Sequence, residues 1–149
     1  MRTGPHELTL LDANIIIHLL REDPTGKKIE AEHALATRRE SQILSSIVEA
    51  EVLALARYRE WSQTQIDKLQ ELLRALVRVD AGHPDVIQAY VDLYCAACRA
   101  GRYRQFRQND LWIAATARAA GAVLYTLNGK DFDWIDENYI AVVHVSQAR

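Results

Sequence analysis

Apolar and polar positions along the chain fall into blocks whose period changes. The run "LTLL" at 8–11 is short and dense, as suits a strand buried on both faces. After Asp12 and Asn14 the apolar residues continue in a helical rhythm as far as Leu20. "KKIEAEHALATRRE" at 27–40 predicts a polar amphipathic helix, and "SQILSSI" at 41–47 a second short strand. "VEAEVLALARYREW" follows directly, and its alanines and leucines favour helix. Ser62, with Gln65 three residues on, has the spacing of a capping box and opens a predicted helix over 62–79. A further helix is expected from His83 to Ala100, with Pro84 in its first turn and Gly101 just past its end. "RYRQFRQ" reads as a basic connecting loop, and the next helix starts at Asn109 or Asp110 and stops at Gly121. "AVLYTL" predicts a strand, "NGKDFDWIDENY" a loop with one turn of helix, and "IAVVHV" a final strand.

Strands that alternate with helices point to an α/β protein, with a mainly parallel central sheet and helices on both faces. The helical block at 62–100 reads as an arm inserted into that core, and the 149 residues as a single domain. Lys and Arg number 18 against 20 Asp and Glu, which excludes nucleic-acid binding spread over the whole surface. Any such contact must come from a local patch or a metal ion. The two cysteines, Cys95 and Cys98, form a lone C-x-x-C in a helical stretch, with no second ligand pair. They are expected to pack as buried or half-buried thiols. No signal-peptide-like or membrane-spanning apolar run is present, so a soluble cytoplasmic protein is expected.

Four acids interrupt the apolar pattern. Asp12 follows an apolar run at the carboxyl end of the first strand, where open parallel sheets collect ligands and a dry carboxylate needs a partner. Glu51 falls within about 60° of Ile47, Val48, Ala54, Leu55 and Tyr58 on a helical wheel, whereas Glu49 lies nearly opposite. Asp110 shares a face with Ile113, Ala114 and Ala117, although an acid near a helix start is also explained by capping. Asn128 and Asp131 follow the 122–127 strand, and either can point back towards Asp12. Carboxylates gathered in one dry pocket raise one another's pKa unless a cation neutralises them, and all-oxygen ligation selects Mg²⁺ or Mn²⁺. Such an ion suits phosphodiester hydrolysis. The histidines show no metal-ligand spacing, and there is neither a glycine-rich phosphate loop nor a Ser-His-Asp arrangement.

With these residues in view, the sequence resembles the PIN-domain family, and within it the VapC-type toxin ribonucleases of toxin–antitoxin pairs. "LLDANIII" is similar to that family's opening strand motif, with Ala13 where a threonine is usual. "LSSIVEAEVLALA" is similar to its second motif, and "NDLWIAATARAAGAVLYTLNGKDF" is the fullest match. The resemblance implies a three-layer α/β/α fold and a metal held by Asp12, Glu51 and Asp110. It implies Asp131 as fourth acid, with Asn128 as the alternative, and Asn14 and Thr126 as steadying polar residues. It further implies an RNA substrate, a small antitoxin partner and a homodimer. Arg102, Arg104 and Arg107, with Arg99, Tyr103 and Phe106 among them, could grip RNA or simply form a solvated loop. Trp112 and Trp134 read as core or interface residues. The function expected is therefore a Mg²⁺- or Mn²⁺-dependent endoribonuclease toxin. The alternatives are a stand-alone RNA-processing nuclease, a non-catalytic RNA- or protein-binding module, and a phosphatase using Asp12 as nucleophile. Asn14 counts against the last, since the partner acid of that chemistry is expected two residues after the nucleophile.

Overall fold

Five short strands, β1 (Thr9–Leu11), β2 (Gln42–Ser45), β3 (Val77–Val79), β4 (Val123–Thr126) and β5 (Val142–His144), form one sheet in a computed structural model that describes residues 7–102 and 107–149. The strand order is β3-β2-β1-β4-β5 and every pair is parallel. Parallel neighbours need crossover connections. These are made by α1 (Ala13–Arg21), α2 (Pro24–His33), α3 (Ser46–Tyr58), α4 (Gln63–Ala75), α5 (Pro84–Arg99) and α6 (Gln108–Ala120). The chain steps from β1 out to β2 and β3, then crosses back to β4 and on to β5. Right-handed crossovers place the helices of the outward and return legs on opposite faces. The packing agrees, because α1 contacts α2, α3 and α4, while α5 packs along α6. The result is the three-layer α/β/α architecture expected from the sequence.

The middle of the sheet is dry: every residue of β1, β2 and β4 is buried. The reversal of winding falls between β1 and β4, so the crevice beyond their carboxyl ends is where such a sheet binds ligands. Short polar caps set the helices that leave this edge. Asp12 caps α1 by accepting from the Ala13 N–H, and Ser45 caps α3 through the Ile47 N–H. The capping box expected at Ser62 and Gln65 is complete.

Three expectations need correction. The helix predicted over 27–40 starts earlier, at Pro24 with Asp23 as its cap, and breaks at Ala34, whose φ of 49° is left-handed; a 3-10 segment (Leu35–Ser41) follows. The block at 62–100 is not wholly helical, because Val77–Val79 leaves α4 and pairs with β2 as the edge strand. Two β-branched residues around one Arg suit a strand at the edge of the sheet, where Val77 and Arg78 are exposed. Cys98 is exposed and only Cys95 is half-buried. The inward stripe of α5 is Val86, Ala89, Leu93 and Ala97, which turns Cys98 away. Among the described residues, no helix is long and apolar enough to cross a membrane.

Candidate active site

Asp12 is the fixed point of the site. It lies one residue beyond β1, and its N–H donates to the Tyr125 carbonyl at 2.9 Å, which extends the β1–β4 ladder. Its side chain is only 7 % exposed and both carboxylate oxygens are engaged. Oδ1 accepts from the Ala13 N–H and Oδ2 from the Thr126 hydroxyl, each at 2.8 Å. Burial pushes this carboxyl above its ordinary pKa, although those two hydrogen bonds pull it down; the charge of Asp131 adds to the rise.

Thr126 does more than hold Asp12. Its Oγ1 also accepts from the Asn128 N–H at 3.0 Å, so one buried hydroxyl ties β1 to the loop after β4. Asn14 makes a second tie, its Oδ1 accepting from the Leu127 N–H at 3.3 Å. Both polar residues thus hold this corner together.

Glu51 reaches the same edge from α3. It sits on the flank of the buried stripe, Val48, Val52 and Ala56, and not at the middle of an apolar face: Ala54 and Tyr58 are exposed. The expectation for the acid's surroundings was therefore half right. Glu51 Oε1 is buried without a hydrogen-bond partner. Burial raises its pKa first and the Asp12 charge second, while the Asn109 side chain and the Arg107 charge oppose them. Glu49, on the other side of α3, pairs with Arg78 of β3 at 2.9 Å.

Asp110 sits in the first turn of α6, but the helix is capped at Arg107 without a side-chain cap, so Asp110 is not its N-cap. Ile113, Ala114 and Ala117 are buried as expected. The Asp110 pKa is raised to about 6, by burial and then by the charges of Asp12, Asp131 and Glu51, with Arg107 opposing. Asp131 ends a short 3-10 turn (Gly129–Asp131) and is exposed, yet its charge is felt at both Asp12 and Asp110. Asn128 is exposed and its N–H serves Thr126.

Four acids from four segments therefore share one electrostatic field at the β1–β4 edge. They meet through charge: among the described residues, no three His, Cys, Asp or Glu side chains form a group able to hold a metal ion as they stand. The donors nevertheless suit a hard divalent cation, being all oxygen and including one buried carboxylate oxygen with no partner. Arg107 is exposed beside Glu51 and Asp110, and Arg99 and Arg102 are exposed at the end of α5. Arg104, Tyr103 and Phe106 lie outside the described residues. Trp112 stacks on Tyr90 between α6 and α5, with ring centroids 4.0 Å apart, and so is an interface residue as expected. Sequence reasoning used Asn109 only as a helix start and missed its contact with Glu51. Trp134 packs against the core as expected, but its indole hydrogen bond to the fourth-acid loop, and the contact of His144 with that loop, were missed.

The comparisons with known proteins agree with this fold. The chain is 30% identical over 128 residues to Ribonuclease VapC1 of Haemophilus influenzae strain R2866, covering 86% of this chain and 92% of that protein. A chain of the Rickettsia felis VapBC2 complex, solved bound to a promoter DNA fragment, superposes with a TM-score of 0.75 at 25% identity, over 92% of this chain and 98% of that one. A chain of VapBC-1 from nontypeable Haemophilus influenzae gives a TM-score of 0.69 at 27% identity, over 92% and 97%. The family model of the PIN domain matches residues 9–138, a span that takes in all four acids. The chain belongs to the PIN domain family.

Proposed function

We propose that the protein is a Mg²⁺- or Mn²⁺-dependent endoribonuclease and the toxin of a toxin–antitoxin pair. The observation that carries this reading is the convergence of Asp12, Glu51, Asp110 and Asp131 at the switch point of the sheet, where the charges of Asp12, Glu51 and Asp131 all raise the pKa of Asp110. Support for the biological role comes from the relatives, a ribonuclease named VapC1 and chains of VapBC complexes. The partners proposed are an RNA substrate, a small antitoxin and a second copy of the chain.

Asp12, Glu51 and Asp110 would hold the ion directly, and Asp131 would be an outer ligand at the rim. When bound, the ion supplies a nucleophilic water near neutral pH and offsets charge on the scissile phosphate. The chain's own residues do the rest. Thr126 fixes the Asp12 carboxylate, so one ligand is set in place beforehand. Burial keeps Asp12 from water, and Arg107 offers a positive charge at the mouth for an RNA phosphate. Asp131, being exposed, would orient the attacking water at the rim.

The test is cleavage of structured RNA with Mg²⁺ or Mn²⁺ by the wild type, Asp12→Ala and Asp110→Asn. Cleavage in the wild type alone is expected, abolished by chelator. Equal cleavage by all three sinks the mechanism. Induction without a cognate antitoxin should arrest a bacterial host, and co-expression of that antitoxin should rescue it; growth unaffected in both cases would point to a stand-alone nuclease.

A further inference from the structure

Beyond the acids and their direct supports, the loop after β4 is held by residues to which the proposed function gives no part. His144 ends β5 and stands opposite Thr126 in the parallel register of β4 and β5. From there its Nε2 lies 2.9 Å from the Leu127 carbonyl oxygen. A carbonyl can only accept, so Nε2 carries the proton and donates it. The same side chain packs closely against Gly129. A Cβ placed on Gly129 would stand 2.6 Å from His144 Cγ and 2.8 Å from its Cβ and Nδ1. Gly129 is therefore required here for close approach and not for an unusual φ.

The rest of the loop is tied in sequence. Asn14 and Thr126 take the N–H groups of Leu127 and Asn128. Asp131 N–H donates to the Asn128 carbonyl and Phe132 N–H to that of Gly129, each at 3.0 Å. The Trp134 indole N–H donates to the Asp131 carbonyl at 3.0 Å. On the Leu127 side, His144 reaches in from outside the β1–β4 corner. It couples the outer strand of the sheet to the turn whose last residue is Asp131.

We infer that His144 is a positioning residue for the fourth acid. Seated in the space left by Gly129, its ring sets the Gly129–Asp131 turn and so the distance of Asp131 from Asp12 and Asp110. The inference rests on the four-acid reading above. It concerns how the chain shapes the site, because the contacts of His144 are with the Leu127 carbonyl and Gly129 of the loop.

The Gly129–His144 contact makes a double-mutant cycle informative. Gly129→Ala drives the ring off the loop, and His144→Ala removes it, so each should disturb the same coupling. Mn²⁺ affinity, read from the free-ion paramagnetic resonance signal, should fall about tenfold in each single variant, as for other residues that orient a ligand from behind. The double variant should fall no further than either single one. Deuterium exchange should quicken in the 127–132 segment of each variant and stay unchanged elsewhere, which separates a local release from general destabilisation. Unchanged exchange in His144→Ala overturns the clamp, whatever the enzyme does. Faster exchange with unaltered Mn²⁺ affinity, or losses that multiply in the double variant, overturns its role at the site. A wild type that binds no Mn²⁺ overturns that role together with the four-acid reading, while the exchange data still judge the clamp on its own.

Discussion

A carboxyl whose proton is held up to about 6, as at Asp110, works against folding at neutral pH. In the unfolded chain the group ionises near 3.8, so between 3.8 and 6 the folded state binds the proton more tightly. The cost is absent below the unfolded value, grows through this window and is complete above the folded one. For a half-buried group, with solvent screening allowed for, it comes to about 1 kcal/mol. Asp110→Asn should thus stabilise the metal-free protein by about that much at pH 7.5 and hardly at all at pH 4, while ending cleavage. Thermal melts in chelator at both pH values check it, and an equal gain at each would refute the assignment. Of these residues, Asp12 was legible because it ends an apolar run at a strand's carboxyl end. Glu51 was legible only in part, since a helical wheel cannot say which side of an alanine-rich helix faces inward. The roles of Thr126 and Asn14 came from the family resemblance alone; their partners, 114 and 113 residues away, are set by strand pairing.

At the scale of elements, the junctions between helices show where local pattern succeeds and fails. α1 and α2 cross so closely that a Cβ on Gly26 would fall on the His18 carbonyl. Since backbone cannot swing aside as a flexible side chain does, Gly26→Ala should cost about 1–3 kcal/mol in chemical denaturation. A loss of a few tenths would show that the helices part easily. The same region misled the periodic reading. Nothing in "HALATR" marks a stop, because the break at Ala34 uses an alanine in a left-handed conformation where glycine is usual. Pro24, by contrast, was a legible start signal left unused. β3 escaped because "LVRV" continues a leucine-rich helix without punctuation. Its two valines permit an extended strand, and the open edge of β2 gives it a partner.

For the whole molecule, the acids gather because the sheet reverses its winding between β1 and β4, and their repulsion is an energy that a cation can recover. Mn²⁺ at a hundredfold excess over its Kd should stabilise the wild type by about 2.7 kcal/mol. Asp12→Ala should abolish the gain, and a melting shift common to both proteins would indicate binding elsewhere. The sequence by itself determined the α/β class, nearly every strand and helix, and which acids stood out, because those follow from local periodicity and from the cost of a dry charge. Tertiary structure alone decided that β3 completes the sheet, that Asp110 is not its helix's cap, and that Asp131 sends its charge into the field of Asp12 and Asp110. It also decided that His144 lies against Gly129, 15 residues earlier in the chain. These depend on which strands become neighbours, and no local pattern carries that information: the order of a parallel sheet is fixed only when its crossovers have packed on both faces.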